Sequence, residues 1–348
     1  MQNISAEIQA IKRQLGDKLC IMGHHYQNDV VVQHCDITGD SLELARRVPH
    51  VDADFIVFCG VYFMGESAAL LAKPGQSVYL PSLDADCLMS QMTPAPLARK
   101  VLEQLHATGR KIIPLAYVNT DLALKAVVGE YGGAVCTSAN AGVMLQWAMK
   151  QGEGVLFLPD RHLGNNTATA LGIPPHDRHV LRIGSKGLVE PENQALDKKL
   201  LLWPGCCAIH ARFDPDDVRE MRATYPGCRI IAHPECREDV ISVCDGAGST
   251  SFLIKDAARV AAEAPGSTLI VGTENNLVHR LADRFEGQCR IIPLGHAICG
   301  NMAKVTEKKL WNILAEIVSQ KATPLEIEAR LCPPARLSLT RMLEACGL

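Results

Sequence analysis

The feature that most constrains this chain is a rhythm of short, continuous apolar runs, each ending in polar or small residues and followed by a helical pattern. Three sets recur. The first is KLCIMGHHY from Lys18, ADFIVFCGVYF from Ala53 and SVYLPS from Ser77. The second is KIIPLAYVNT from Lys111, GAVCTSANA from Gly133, GVLFLPDRH from Gly154 and KLLLWPGCC from Lys199. The third is CRIIAHPEC from Cys228, DVISVCDGAGSTS from Asp239, STLIVGTENN from Ser267 and CRIIPLGHAIC from Cys289. Unbroken apolar strands alternating with helices imply parallel sheets covered on both faces. The helices between them include GDSLELARRV, AGVMLQWAMKQG and SFLIKDAARVAAEAPG, the last two stopping at glycine.

Polarity falls at matching places in the sets. Their opening strands end in His24-His25-Tyr26, Tyr117-Val118-Asn119 and His233-Pro234-Glu235, and each closing strand is followed by a cysteine: Cys87, Cys207 and Cys299. Open parallel sheets bind ligands at the carboxyl ends of their strands. Three such units around a pseudo-threefold axis would aim all three polar ends at one central cavity. The competing explanation is a chance alignment of three ordinary α/β units.

A chain of 348 residues suits two or three core units. With 47% hydrophobic and 21% charged residues it is globular, not disordered. The net charge of −3, with both signs interspersed, offers no basic stripe for nucleic acid and no patch for an anionic membrane. The longest apolar stretch, Phe55 to Ala72, is broken by Glu66 and two glycines and would not span a bilayer. The opening MQNISAEIQAIKRQLG reads as an amphipathic helix, not a signal peptide, so the expected location is the cytoplasm. In that compartment the 14 cysteines are not expected to form disulfides. Cys20, Cys59, Cys136, Cys244 and Cys289 read as packing residues.

The expected division is 1–93, 94–212 with a polar surface or lid-like insertion at 165–200, 213–300, and a helical segment at 301–348. In the last, helices are expected at Glu307–Gln320, Pro324–Leu331 and Leu337–Ala345. Three cysteines so far apart make no local metal motif. Three thiolates from distant loops can nonetheless hold a [4Fe–4S] cluster with one iron left open, which would act as a Lewis acid.

The strings GHHYQ (23–27), GDSLELAR (39–46), FCGVYFMGES (58–67), YVNT (117–120), CTSANA (136–141), PDRHLG (159–164), WPGCCAIHARF (203–213), HPEC (233–236), GSTS (248–251), GTENNL (272–277) and CGNM (299–302) closely resemble the quinolinate synthase family, in its order and over residues 12–306. The resemblance implies three pseudo-symmetric αβα domains around a central site and a [4Fe–4S] cluster. It also implies condensation of iminoaspartate with dihydroxyacetone phosphate to quinolinate for NAD synthesis. It suggests a homodimer and a functional link to L-aspartate oxidase or aspartate dehydrogenase.

Carried over residue by residue, Cys87 and Cys299 match cluster ligands. In WPGCCAIH, Cys206 and Cys207 compete, and the family's histidine three residues after the ligand selects Cys207 with His210. His24 and Tyr26 match an active-site pair whose spacing places both side chains on one face of a strand end, with Tyr26 the expected proton-transfer group. Ser41, Ser138, Ser249 and Thr250 match positions that hold carboxylate or phosphate oxygens. Ordinary N-capping explains the same residues, and both can be true. Tyr117 and Asn119 match a cavity-lining pair. His233 and Glu235 match another, Glu235 being an expected general base beside Tyr26 and His210. Asp160 and His162 read as loop-shaping residues. The rival readings are a hydro-lyase of the aconitase sort and a non-enzymatic iron–sulfur sensor.

Overall fold

The computed structural model describes residues 3–189 and 196–347. The first sheet comprises β1 (Leu19–His24), β2 (Ile37–Gly39), β3 (Phe55–Cys59) and β4 (Ser77–Tyr79). The second holds β5 (Ile112–Tyr117), β6 (Ala134–Cys136), β7 (Gly154–Leu158) and β8 (Arg178–Val180). A two-stranded antiparallel hairpin of β9 (Ile183–Gly184) and β10 (Gly187–Leu188) follows, and β11 (Leu200–Leu202) then returns to the second sheet. The third sheet comprises β12 (Arg229–Ala232), β13 (Gly246–Ala247), β14 (Thr268–Gly272) and β15 (Arg290–Pro293).

The strand orders are β2-β1-β3-β4, β6-β5-β7-β11-β8 and β13-β12-β14-β15, all parallel. Each unit thus repeats one pattern, with its second strand outside its first, and the middle unit adds β8 at an edge. Alternation along the strands shows why both faces must be covered. Cys20 and Met22 of β1 enter one hydrophobic cluster, and Leu19 and Ile21 enter another. In the third sheet Leu269 and Val271 face one cluster while Ile270 faces the other. Helices on both sides bury these faces, giving αβα layers.

Several expectations change. Ile37–Gly39 and Arg178–Val180 are strands that the apolar rhythm does not reveal, because neither carries an apolar run. The run after Asp239 is mostly not a strand: Glu238–Ile241 is helical and only Gly246–Ala247 pairs. Short apolar runs do not distinguish the two states. The segment from 165 begins inside the helix Arg161–Ala170 and then supplies β8 and the hairpin; residues 190–195 of that expected insertion lie outside the described residues. No helix forms at 324–328, and Ala329–Leu331 is a single 3-10 turn. The following helix starts at Cys332, earlier than expected, with Pro333 and Pro334 in its first turn, where no intrahelical N–H is needed. Helix Glu307–Val318 buries Leu310, Leu314 and Ile317 beside Ile8 of the helix Ile4–Leu15. Helix Cys332–Ala345 instead buries Ala335, Leu339 and Met342 in the core of the second unit. There a Cβ at Gly129 would collide with the carbonyl oxygen of Pro334. No helix among the described residues is long and apolar enough to cross a membrane.

Candidate active site

Equivalent strands of the three units deliver equivalent chemistry to one cavity of about 430 Å³. The first strands end at the pairs His24/Tyr26, Tyr117/Asn119 and His233/Glu235, and all six residues line it. After the second strands come Ser41, Ser138 and Thr250, which also line it. After the fourth strands come Cys87, Cys207 and Cys299, again in the lining, with His210 beside them. The second residue of each pair lies past the strand end: the Gln27 N–H donates to the His24 carbonyl at 3.0 Å and the Cys236 N–H to the His233 carbonyl at 3.0 Å, so a turn, and not the shared strand face expected from the spacing, brings Tyr26 and Glu235 into the cavity.

Ser249 does not line the cavity. It caps the helix Thr250–Glu263, its Oγ accepting from the Phe252 N–H at 3.3 Å, so capping accounts for it. Cys206 and His25 are also outside the lining. Asp160 is buried behind it. Its Oδ1 accepts from the His162 and Leu163 N–H groups at 2.7 and 3.0 Å, and its Oδ2 from the Cys207 N–H at 3.2 Å. It therefore shapes the loop that presents Cys207.

A chain of hydrogen bonds crosses the site. The Tyr26 hydroxyl lies 2.8 Å from Thr273 Oγ1 and 3.4 Å from Thr250 Oγ1. Thr273 Oγ1 lies 3.0 Å from His210 Nε2, and His210 Nδ1 lies 2.6 Å from Glu235 Oε2. The rings of His210 and His233 stack with centroids 4.6 Å apart. Burial pushes Glu235 up, but His233 and His210 outweigh it and hold the carboxyl well below its usual range. Burial pushes His210 down despite Glu235. A neutral imidazole donating Nδ1–H to an ionised carboxylate satisfies both directions, and leaves Nε2 to accept from the Thr273 hydroxyl. Thr273 in turn can accept from Tyr26, whose own ionisation burial and Glu235 push well above the ordinary range. Proton movement from Tyr26 toward Glu235 thus has a continuous path.

Thr273 is a residue that the sequence reading quoted inside GTENNL but did not single out. Its position immediately after a third strand was the available signal. Thr273 itself is fully buried behind the wall, while its neighbour Glu274 lines the cavity, and burial raises Glu274 to about 7 against the N–H groups of Cys299 and Asn276 that it accepts.

Burial pushes the Cys87 thiol up to about 12 and raises Cys207 and Cys299 as well. Among the described residues, no lysine or arginine lining the cavity is paired with them; the one such residue there, Lys304, donates to the Asp84 carbonyl at 2.7 Å. Three converging thiols without a paired cation suit a soft metal centre, which inverts that unfavourable ionisation. Among the described residues, Cys207, His210 and Glu235 also bring ligand atoms within 4.8 Å of one another. Two ligands on one tetrahedral ion stand ~3.3 Å or more apart at bond lengths of about 2.0–2.3 Å. The 2.6 Å contact of His210 with Glu235 is therefore a hydrogen bond, not two arms of a mononuclear site.

A family model described as quinolinate synthetase A protein matches residues 6–344. Proteins named quinolinate synthase are similar over nearly the whole chain. That of Streptomyces coelicolor is 39% identical across 98% of this chain and 88% of its own length. That of Corynebacterium glutamicum is 41% identical across 97% and 86%, and that of Halalkalibacterium halodurans 41% across 98% and 93%. With the match running through all three units and every wall of the cavity, the chain belongs to the quinolinate synthetase A protein family.

Proposed function

We propose that this chain is a cytoplasmic quinolinate synthase. It condenses iminoaspartate with dihydroxyacetone phosphate to quinolinate, phosphate and two waters, supplying the pyridine ring of NAD. A [4Fe–4S] cluster is held by Cys87, Cys207 and Cys299. The observation that carries this reading is the convergence of those cysteines with the Tyr26–Thr273–His210–Glu235 hydrogen-bond chain in one cavity. At about 430 Å³ the cavity lies within the usual range for small-molecule sites.

When bound, the cluster supplies a Lewis-acidic iron that helps a hydroxyl depart. The protein's own groups do the rest. Ser41, Ser138 and Thr250, at or near helix N-termini, hold the anionic carboxylate and phosphate oxygens. Tyr26 moves a proton on the carbon skeleton, with Thr273 and His210 passing it toward Glu235. Tyr117, Asn119, His24 and His233 orient the precursors. The overall condensation is redox-neutral. Because an imine hydrolyses readily, an aspartate-oxidising enzyme, L-aspartate oxidase or aspartate dehydrogenase, supplies it. The working assembly is a homodimer.

The test is anaerobic purification, iron and sulfide analysis, and a quinolinate assay with iminoaspartate and dihydroxyacetone phosphate. About four irons and four sulfides per chain, with quinolinate formed, are expected. A loaded protein that makes no quinolinate overturns the reading.

A further inference from the structure

Lys125 lies on the helix Leu122–Glu130 and has no exposed surface. Lysine is almost never fully buried without a partner. Its Nζ donates to the carbonyl oxygen of Thr120 and sits 5.3 Å from the centre of the Phe63 ring. Among the described residues no carboxylate stands within 4.0 Å of that ammonium. Glu66, Asp121 and the Cys87 thiol are the acidic groups whose charge it feels from farther off, and one oxygen of each carboxylate accepts a backbone N–H instead. Glu66 Oε2 accepts from the Leu122 N–H at 3.0 Å, and Asp121 Oδ1 accepts from the Leu124 N–H at 2.6 Å. Burying an unpaired ammonium opposes folding, and an apolar side chain of similar length would serve the core as well or better. The fold alone does not account for Lys125.

What the ammonium touches does account for it. Thr120 closes the turn that follows β5: its N–H donates to the Val118 carbonyl at 2.8 Å and its hydroxyl to the Tyr117 carbonyl at 3.2 Å. That turn carries Tyr117 and Asn119 into the cavity, and Asn119 Oδ1 is buried with no protein partner. Phe63 lines the same cavity from the first unit. One side chain, reaching from behind the wall, therefore meets both the turn of the second unit and an aromatic wall residue of the first.

We propose that Lys125 is a positioning residue for the cavity: tied to the Thr120 carbonyl and seated against Phe63, it fixes the turn that presents Tyr117 and Asn119 to an anionic ligand. The ligand side of this inference rests on the reading that the cavity takes a pyridine dicarboxylate; the fixing of the turn does not.

The experiment compares the wild-type holoenzyme with Lys125→Met, Asn119→Ala and their double variant. Lys125→Met is expected to unfold at an unchanged or higher temperature. Its backbone amides over 118–121 should exchange hydrogen about ten-fold faster, with the rest of the chain unaltered. Calorimetric affinity for quinolinate should fall about ten-fold in each single variant. The double variant should be little weaker than either, because Lys125 acts through Asn119. Unaltered exchange over 118–121 overturns the proposal, as do losses that multiply in the double variant. If Lys125→Met does not fold, Glu66→Gln combined with Lys125→Met removes both charges and faces the same tests. Failure of that pair to fold also overturns the proposal, since Lys125 would then serve the fold. A wild type that does not bind quinolinate overturns the functional reading instead, and the exchange rates alone then decide on Lys125.

Discussion

His210 Nδ1 and Glu235 Oε2 stand 2.6 Å apart with both side chains buried, so the imidazole's tautomer is set by an ionised carboxylate that solvent does not reach. Glu235→Gln keeps the shape and removes the charge. Thr273→Val keeps the shape and removes the hydroxyl between Tyr26 and His210. Each is expected to lower the rate of quinolinate formation by about 10²-fold or more, as for loss of a general acid–base group. Near-normal turnover in Thr273→Val would show that protons leave Tyr26 by another route.

The cysteine pair next in sequence to one another separates cleanly. Cys207 lines the cavity and Cys206 does not. Cys87→Ser, Cys207→Ser and Cys299→Ser should each yield colourless, iron-poor protein, while Cys206→Ser stays brown and active. Iron and sulfide analysis of the four variants checks this, and a brown Cys207→Ser protein contradicts it.

Ser249 and Thr250 are neighbours with different duties. Ser249→Ala removes a helix cap and should lower stability by about 1 kcal/mol with KM unchanged. Thr250→Ala should raise KM roughly ten-fold through one lost hydrogen bond to a charged group, with little change in Tm. The reverse pattern in unfolding and steady-state measurements would reassign both residues.

His24 makes stability depend on pH. Burial, with His25 adding to it, pushes its ring down from 6.5 to about 3, and its Nδ1 accepts from the Tyr26 N–H at 3.1 Å. Between those values the unfolded chain binds a proton that the folded chain refuses. Stability therefore rises with pH across that window and is lost as pH falls. His24→Asn, which keeps an acceptor, should flatten the dependence by up to about 1.4 kcal/mol per pH unit. Denaturant unfolding at pH 6.5, 5.5 and 4.5 measures the slope, and an unchanged slope removes His24 as its source.

The parts of this architecture legible in the sequence were those written as buried apolar runs. Strands such as Leu19–His24 and Thr268–Gly272 are covered on both faces, so nearly every residue is apolar and the repeat shows. Ile37–Gly39 is an edge strand of three residues, and Arg178–Val180 carries two charged or polar residues in three. Their pairing comes from neighbouring backbone, which leaves little trace in side-chain pattern. The site divides similarly. Tyr26, Glu235 and the cysteines were approachable because they follow first and fourth strands in each unit. Thr273 was not, because a threonine after a strand is commonplace and only the fold brings it between Tyr26 and His210. Ser249 shows the overlap from the other side, since its hydroxyl caps its own helix, a duty that a sequence does not separate from anion binding.

Helix Cys332–Ala345 completes the core of the second unit by covering the helix Leu122–Glu130, with Gly129 pressed against Pro334. During synthesis the covering helix leaves the ribosome roughly two hundred residues after the surface it covers. At typical elongation rates of about 5–20 residues per second, that surface waits on the order of ten seconds or more. The third unit has no such delay, because its two clusters draw on residues between Phe213 and Ala297. Vectorial folding of this chain is therefore out of step with its sequence order. Its first unit waits longest, because Leu310, Leu314 and Ile317 of the helix Glu307–Val318 complete a cluster that opens at Ile8, so the first two units are the ones that a nascent-chain chaperone must shield.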